Sequence, residues 1–158
     1  MGAIAGKRTD VKPLSKAEAL ALNDETEEKG LVHIPLNIMH AEGTICNCCD
    51  DCCMVVNPLL KRERVHAILS PSRFRAVIDE EKCQGCQTCL ERCIFDGIEM
   101  KKVPGSKKMK AFIINEHCMG CGMCVFKCPN GAMKLELIRP PEHIPEQMPE
   151  MAARGPAK

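Results

Sequence analysis

Two copies of one cysteine pattern, 35 residues apart, constrain the fold of this 158-residue chain more than any other feature. Within each copy, successive cysteines are separated by two, two and three residues. The first copy consists of Cys83, Cys86, Cys89 and Cys93, and the second of Cys118, Cys121, Cys124 and Cys128. Apolar runs at 74–78 and 111–114 precede the copies, and further strands are predicted to start near Gly97 and Ala132. Each half of this internal repeat therefore reads as strand, cysteine loop, short helix and strand.

The composition predicts that the cysteines stabilise a small core, and their spacing favours bound metal over disulfides. Trp and Tyr are absent and Phe occurs four times, so large side chains alone build only a thin core. Three thiolates spaced by two residues on a tight loop can wrap three corners of one iron–sulfur cubane. The fourth cysteine, predicted to lie on the short helix after the loop, then points toward the other site. Zinc fits less well, because structural zinc sites use cysteine pairs separated by a longer span.

These residues give the chain a resemblance to a known family. Residues 73–138 resemble the bacterial dicluster ferredoxins, and the resemblance implies an α+β domain with pseudo-twofold symmetry and two [4Fe–4S] clusters. It implies that one cluster is held by Cys83, Cys86, Cys89 and Cys128, and the other by Cys118, Cys121, Cys124 and Cys93. The chain departs from the family pattern at Ile94, where proline is usual, and in the longer connection 101–110.

The function implied by this resemblance is the transfer of single electrons. A cluster with four thiolate ligands has no open coordination position, so it can pass electrons but can hardly bind a substrate. The sequence contains no GxGxxG fingerprint, P-loop or flavin-type signature, and we expect low-potential electron transfer without catalysis by this chain alone. Free bacterial ferredoxins are typically acidic, whereas this chain has a net charge of +1. That difference favours a subunit of an oxidoreductase complex of an anaerobe, bound to a catalytic partner.

Five further cysteines are crowded between positions 46 and 53. They are Cys46, Cys48, Cys49, Cys52 and Cys53. If residues 48–53 were helical, four of the thiols would share one face of about 140°. This segment also resembles one found ahead of ferredoxin domains in some proteins of anaerobes. We expect a third [4Fe–4S] cluster here, with zinc or a redox-active thiol group as alternatives and His33 and His40 as possible accessory ligands.

Two other classes of function remain open at this point. In the first, the chain is an enzyme subunit whose N-terminal cysteine site binds a substrate through an open iron position. In the second, it is an interaction module in which the clusters have only a structural role. Against the first class, five thiols are available for the four ligand positions of a cluster, so an open iron is not expected. The second class would be favoured if dithionite could not reduce the clusters.

The rest of the chain completes a predicted order of four regions. These are a helical leader at 1–30, a five-cysteine segment at 31–72, the dicluster domain at 73–138 and a Pro-rich tail at 139–158. Ser15 and Glu18 form a capping-box pattern that predicts a helix over 16–29, with Gly30 as its stop. Pro58 is expected to end or kink any helix that begins after the five cysteines.

Charge and hydropathy bear on location and partners. The loop 101–110 carries five lysines around Pro104 and Gly105, and it is either a solvated hairpin or a docking patch for an acidic redox partner. No secretion signal or apolar run of membrane-spanning length is present. A cytoplasmic location without membrane insertion is therefore expected, and the near-neutral charge gives no reason to expect a nucleic-acid partner.

Overall fold

In the computed structural model, residues 12–35, 45–54, 56–61 and 69–144 are described, and they combine short helices with two-stranded antiparallel sheets. The mixed α and β composition expected from the sequence is confirmed. The predictions for His40 and for most of the Pro-rich tail lie outside the described residues.

The N-terminal part supplies helix α1 (Lys16–Glu28), strands β1 (Val32–Pro35) and β2 (Ile45–Cys48), and helix α2 (Val56–Lys61). The predicted capping box is confirmed at the start of α1. The Ser15 hydroxyl accepts a hydrogen bond from the Glu18 amide, and the Glu18 carboxylate accepts one from the Ser15 amide. Gly30, with φ of +84°, follows the helix as predicted. The predicted helix 16–29 is therefore confirmed to within one residue.

Two expectations about the five-cysteine segment are wrong. Cys48 ends β2, and residues 49–53 form bends without a helix, so the helical face of four thiols does not exist. Strand pairing with β1, which places Cys48 opposite Val32, fixes an extended backbone there instead. Pro58 neither ends nor kinks α2 but lies in its first turn. Proline is tolerated there because first-turn amides have no partner within the helix.

The repeat region at 73–138 follows the predicted order of elements in both halves. Its first half contains β3 (Phe74–Ile78), α3 (Thr88–Glu91) and β4 (Ile98–Lys102). Its second half contains β5 (Met109–Ile113), α4 (Met123–Phe126) and β6 (Met133–Leu137). Each element of the first half recurs 35 residues later. Strand β3 pairs with β6 and β4 pairs with β5, both antiparallel, so each sheet takes one strand from each half.

The core of the repeat region is thin, as the composition predicts. Its buried members are small or cysteine side chains with one Ile and one Met. They are Ala76, Cys83, Cys89, Ile98, Ala111, Cys124, Ala132 and Met133. An aliphatic core of this size buries little apolar area, so packing alone contributes little stability to the repeat region.

A second apolar cluster joins the N-terminal part to the repeat region. Val32 of β1 is buried together with Phe95, Met119 and Met123. Cys93 and Cys121 pack against the same cluster, as do Ile34, Leu60, Leu69 and Ile94. Contacts therefore cross the boundary drawn between the five-cysteine segment and the repeat region. The four-region division of the chain stays a prediction.

Candidate metal centres

The first site is a cavity of about 330 Å³, partly open to solvent, between the two halves of the repeat region. Its cysteines are Cys83, Cys86 and Cys89 from the first copy and Cys128 from the second. Apolar groups of the sheets, including Ile78, Met100 and Met133, complete the lining. The cavity is therefore a thiol-rich pocket with largely apolar walls.

The second site is a similar cavity of about 360 Å³. Its cysteines are Cys118, Cys121 and Cys124 from the second copy and Cys93 from the first. The structure thus brings the eight cysteines together in the two expected sets, and their role as ligands stays a prediction. The expectation that the fourth cysteine lies on the short helix is wrong, because α3 ends at Glu91, two residues before Cys93, and α4 likewise ends before Cys128.

Backbone amides approach the fourth cysteine of each copy in the same way. The Gly97 amide lies 3.3 Å from Cys93 Sγ, and the Ala132 amide lies 3.2 Å from Cys128 Sγ. Hydrogen bonds to a thiolate sulfur stabilise its negative charge and are one lever on cluster potential. Both donors follow the cysteine by four residues, so the local backbone itself supplies the bond.

Two glycines allow each cysteine loop to lie against the opposite half of the repeat. A Cβ on Gly85 would lie 2.2 Å from the Met109 carbonyl oxygen, and one on Gly120 would lie 2.1 Å from that of Phe74. Both glycines also have positive φ, at +68° and +66°. The contacts are reciprocal, because Phe74 and Met109 begin equivalent strands. No other residue type fits these two positions without displacing backbone.

The cysteine electrostatics show why the second site needs a cation. Burial, together with the neighbouring thiols of the site, raises the pKa of Cys124 to about 12 and that of Cys121 to about 11. Such thiols are protonated at neutral pH unless a positively charged centre stabilises the thiolate. Four converging sulfurs in an apolar pocket match the donor preference of iron–sulfur clusters. The residues present therefore fit a cluster at each site.

Residues 67–135 match the 4Fe-4S dicluster domain family, which includes both cysteine copies. This part of the chain is a dicluster ferredoxin-like segment. The match covers less than half of the 158 residues and does not include the five-cysteine region at 46–53. No curated protein matches the chain. Among the described residues, no helix is both long and apolar enough to cross a bilayer.

Two pairs of equivalent positions in the dicluster segment have a left-handed backbone conformation in both halves. Gln87 has φ of +67° where its counterpart is Gly122, and Asp96 has φ of +52° where its counterpart is Gly131. A side chain in this region costs about 1–2 kcal/mol. We expect Gln87→Gly to relieve this strain and so to raise the denaturant concentration at which half of the cluster absorbance is lost. The larger entropy of glycine in the unfolded state should offset part of that gain in stability.

The matched control for this substitution is an exposed turn residue without positive φ, and Glu80→Gly serves. It is expected to lower the same midpoint, because glycine there adds unfolded-state entropy and relieves no strain. A lower midpoint for Gln87→Gly as well would show that the left-handed residue is not strained.

The five-cysteine site (Cys46, Cys48, Cys49, Cys52 and Cys53) lies at the end of β2 and in the bends after it. Cys49 Sγ lies 3.0 Å from Cys52 Sγ and 2.7 Å from an Asp51 carboxylate oxygen, so these three side chains could hold one metal ion. Cys48 is buried, and burial together with the Cys53 thiol raises its pKa to about 12. The five-cysteine site therefore combines a buried thiol, that of Cys48, with thiols that are accessible to solvent.

Of the two histidines predicted as accessory ligands, His33 is described and does not join this site, whereas His40 lies outside the described residues. His33 Nδ1 lies 2.7 Å from Asn47 Oδ1, and Nε2 is buried 3.4 Å from a Glu27 carboxylate oxygen without a hydrogen-bond partner among the described residues. These contacts position β1 against β2 and α1, which is a structural role.

The lysine loop forms the predicted hairpin, with Pro104 and Gly105 at its turn between β4 and β5. Two of its lysines turn back toward the first site. Lys110 Nζ donates to the Cys83 carbonyl, and Lys108 Nζ lies 3.2 Å from Gln84 Oε1. The remaining lysines are exposed, at positions 101, 102 and 107. Positive charge therefore borders the first site, a proximity that the sequence pattern did not reveal.

Sequence reasoning missed Arg92, which lines the second site. Its guanidinium donates through Nη2 to the carbonyls of Glu27 and Glu28 at the end of α1, at 2.7 and 3.2 Å. One signal was present in the sequence, because the repeat offset aligns Arg92 with the basic residue Lys127. The contact between Arg92 and the helical leader could not be predicted from either copy of the cysteine pattern.

Proposed function

We propose that the chain transfers single electrons through two [4Fe–4S] clusters, one at each site, in a dicluster segment with pseudo-twofold symmetry. The observation that carries this proposal is that each cavity joins three cysteines of one copy to the fourth cysteine of the other. The clusters supply one-electron chemistry when bound, and with four thiolates each they leave no iron open to substrate. The reciprocal glycine contacts support the pseudo-twofold arrangement.

The protein's own residues prepare this chemistry in two ways. Apolar side chains line much of both cavities, and the backbone amides of Gly97 and Ala132 donate hydrogen bonds to the sulfurs of Cys93 and Cys128. The two sites are also close, because Cys89 of the first site and Cys124 of the second belong to one buried cluster. An electron at one site is therefore near the other.

We further propose that the five-cysteine site holds a third [4Fe–4S] cluster, next to the second site in the relay. Its crowded thiols need a positive centre, and they exceed by one the four positions of a cluster. Val32 pairs with Cys48 in the β1–β2 register and is buried with Met119 and Met123 beside Cys93 and Cys121. The proposed order is five-cysteine site, second site, first site.

The lysine loop supports a proposal about the redox partner. Its positive charge borders the first site, at the end of the relay opposite the five-cysteine site. A partner with an acidic surface would be steered to that end, since complementary charge speeds encounter and fixes orientation. We propose that this partner belongs to a cytoplasmic oxidoreductase complex of an anaerobe.

Iron and acid-labile sulfide counts on anaerobically purified protein test the cluster content. We expect about twelve of each per chain, from three cubanes of about four iron each. A variant with all five N-terminal cysteines changed to serine is the matched control and should retain about eight of each. Iron-free wild-type protein would overturn the electron-transfer proposal itself.

A second candidate function for the five-cysteine site is a dithiol switch, favoured by the 3.0 Å contact between Cys49 Sγ and Cys52 Sγ. Oxidation would form one S–S bond and release two electrons and two protons, with the electrons passing one at a time to the two clusters. Protein with about eight iron and five titratable N-terminal thiols would favour this function. A zinc ion with about eight iron would indicate a structural metal site instead.

A further inference from the structure

Arg92, which lines the second site, carries a hydrogen-bond donor without a partner among the described residues. Its Nε atom is buried and has no hydrogen-bond partner within the part of the chain that the structure describes. Arg92 also lines the cavity formed by Cys93, Cys118, Cys121 and Cys124. A buried N–H without an acceptor costs about 1–3 kcal/mol. An anionic sulfur in that cavity would remove this cost.

The leader holds the other end of the guanidinium in place. Nη2 donates to the Glu27 and Glu28 carbonyls, which lie at the negative end of α1. The last turn of α1 contains no basic residue of its own, so Arg92 supplies this cation from the dicluster segment. Gly30 packs so closely against the guanidinium that a Cβ there would lie 2.6 Å from Nη1. The leader thus restrains the guanidinium through its two terminal nitrogens.

We propose that Arg92 is a positioning residue for redox tuning, donating its Nε–H to a sulfur of the cluster at the second site. This inference rests on the proposed function. A donor and a positive charge beside a cluster stabilise the more negative reduced state, so Arg92 raises the potential of that cluster. The leader, which lies outside the cysteine repeat, therefore contributes to a potential difference between the two sites.

Redox titrations of the intact chain, followed by electron paramagnetic resonance, test this role. The signal of the second site is identified by its loss in Cys93→Ser. We expect Arg92→Lys and Arg92→Gln to shift that midpoint potential to more negative values and leave the first site unchanged. Lys keeps the charge without the guanidinium fork, so it should shift the potential less than Gln does.

Gly30→Ala tests the coupling without altering Arg92 itself. The added Cβ should displace the guanidinium and shift the potential of the second site in the same direction. Gly105→Ala is the control for backbone strain, since Gly105 has φ of +82° with no atom within 4 Å of an added Cβ. Lys127→Met is the control for leader contact, because Lys127 binds Glu28 but does not line the second site. Neither control should change the difference between the two potentials.

Three results would overturn the inference. One is an unchanged second-site potential in Arg92→Gln protein with full iron and sulfide. Another is a shift of equal size at both sites. The third applies if the Arg92 variants lose the second cluster. In that case, a second-site potential in Gly30→Ala that equals the wild-type value would overturn the inference. Wild-type protein without clusters would instead refute the proposed function, so the two failures are distinguishable.

Discussion

Replacing Cys128 with alanine is expected to damage the first site and spare the second, although Cys128 belongs to the second copy of the cysteine pattern. The reason is that Cys128 lines the cavity of Cys83, Cys86 and Cys89. With one thiolate missing, that cluster should be degraded or lost, and iron should fall by up to about four per chain. Cys93→Ala should give the opposite result, because Cys93 lines the second site.

Mild alkylation followed by peptide mass spectrometry distinguishes the two variants. In Cys128→Ala, the cysteines at 83, 86 and 89 should become reactive while those at 118, 121 and 124 remain protected. Cys93→Ala is the matched control and should reverse this pattern. Reaction of the three second-copy cysteines in Cys128→Ala would show that each copy holds its own cluster.

Gly85→Ala is expected to prevent cluster binding at the first site. The added Cβ would lie 2.2 Å from the Met109 carbonyl oxygen, where backbone of β5 cannot move without loss of its pairing with β4. The left-handed conformation at φ of +68° adds about 1–2 kcal/mol of strain. The combined effect should remove about four iron and lower the thermal midpoint for cluster loss. Iron analysis and visible absorbance during heating measure both.

Gly105→Ala separates strain from steric overlap in this experiment. Gly105 has a similar left-handed conformation in the lysine loop but no atom close to an added Cβ. It should retain full iron and lose only about 1–2 kcal/mol of stability. If Gly85→Ala behaves like Gly105→Ala, the close approach of the two halves is not required for cluster binding.

The repeat was readable from the sequence because its determinants are local. Spacing within each cysteine copy sets the loop, and the adjoining apolar runs set the strands, so the order of elements follows from short-range patterns. The Ser15 and Glu18 capping box is equally local, and it marks the start of α1 correctly. In contrast, the pairing of β3 with β6 joins strands far apart in the chain.

The five-cysteine site shows where local reasoning failed. The density of thiols correctly drew attention to residues 46–53, but their spacing suggested a helix where the chain is extended and then bent. Pairing between β1 and β2 overrides the local preference, because strand register depends on a partner segment that spacing within the cysteine run does not contain. The same limit applies to Pro58, whose position within a helical turn depends on where that helix begins.

The sequence by itself determined which residues can carry the chemistry: two four-cysteine copies and a separate group of five cysteines. Tertiary structure alone decided which groups meet. It directed Arg92 from the second site to the end of α1, brought lysines 108 and 110 against the loop of the first site, and packed β1 beside Met119 and Met123. The physical reason is that cysteine spacing acts over a few residues of backbone, whereas these contacts depend on how distant segments bury apolar surface and satisfy hydrogen bonds together.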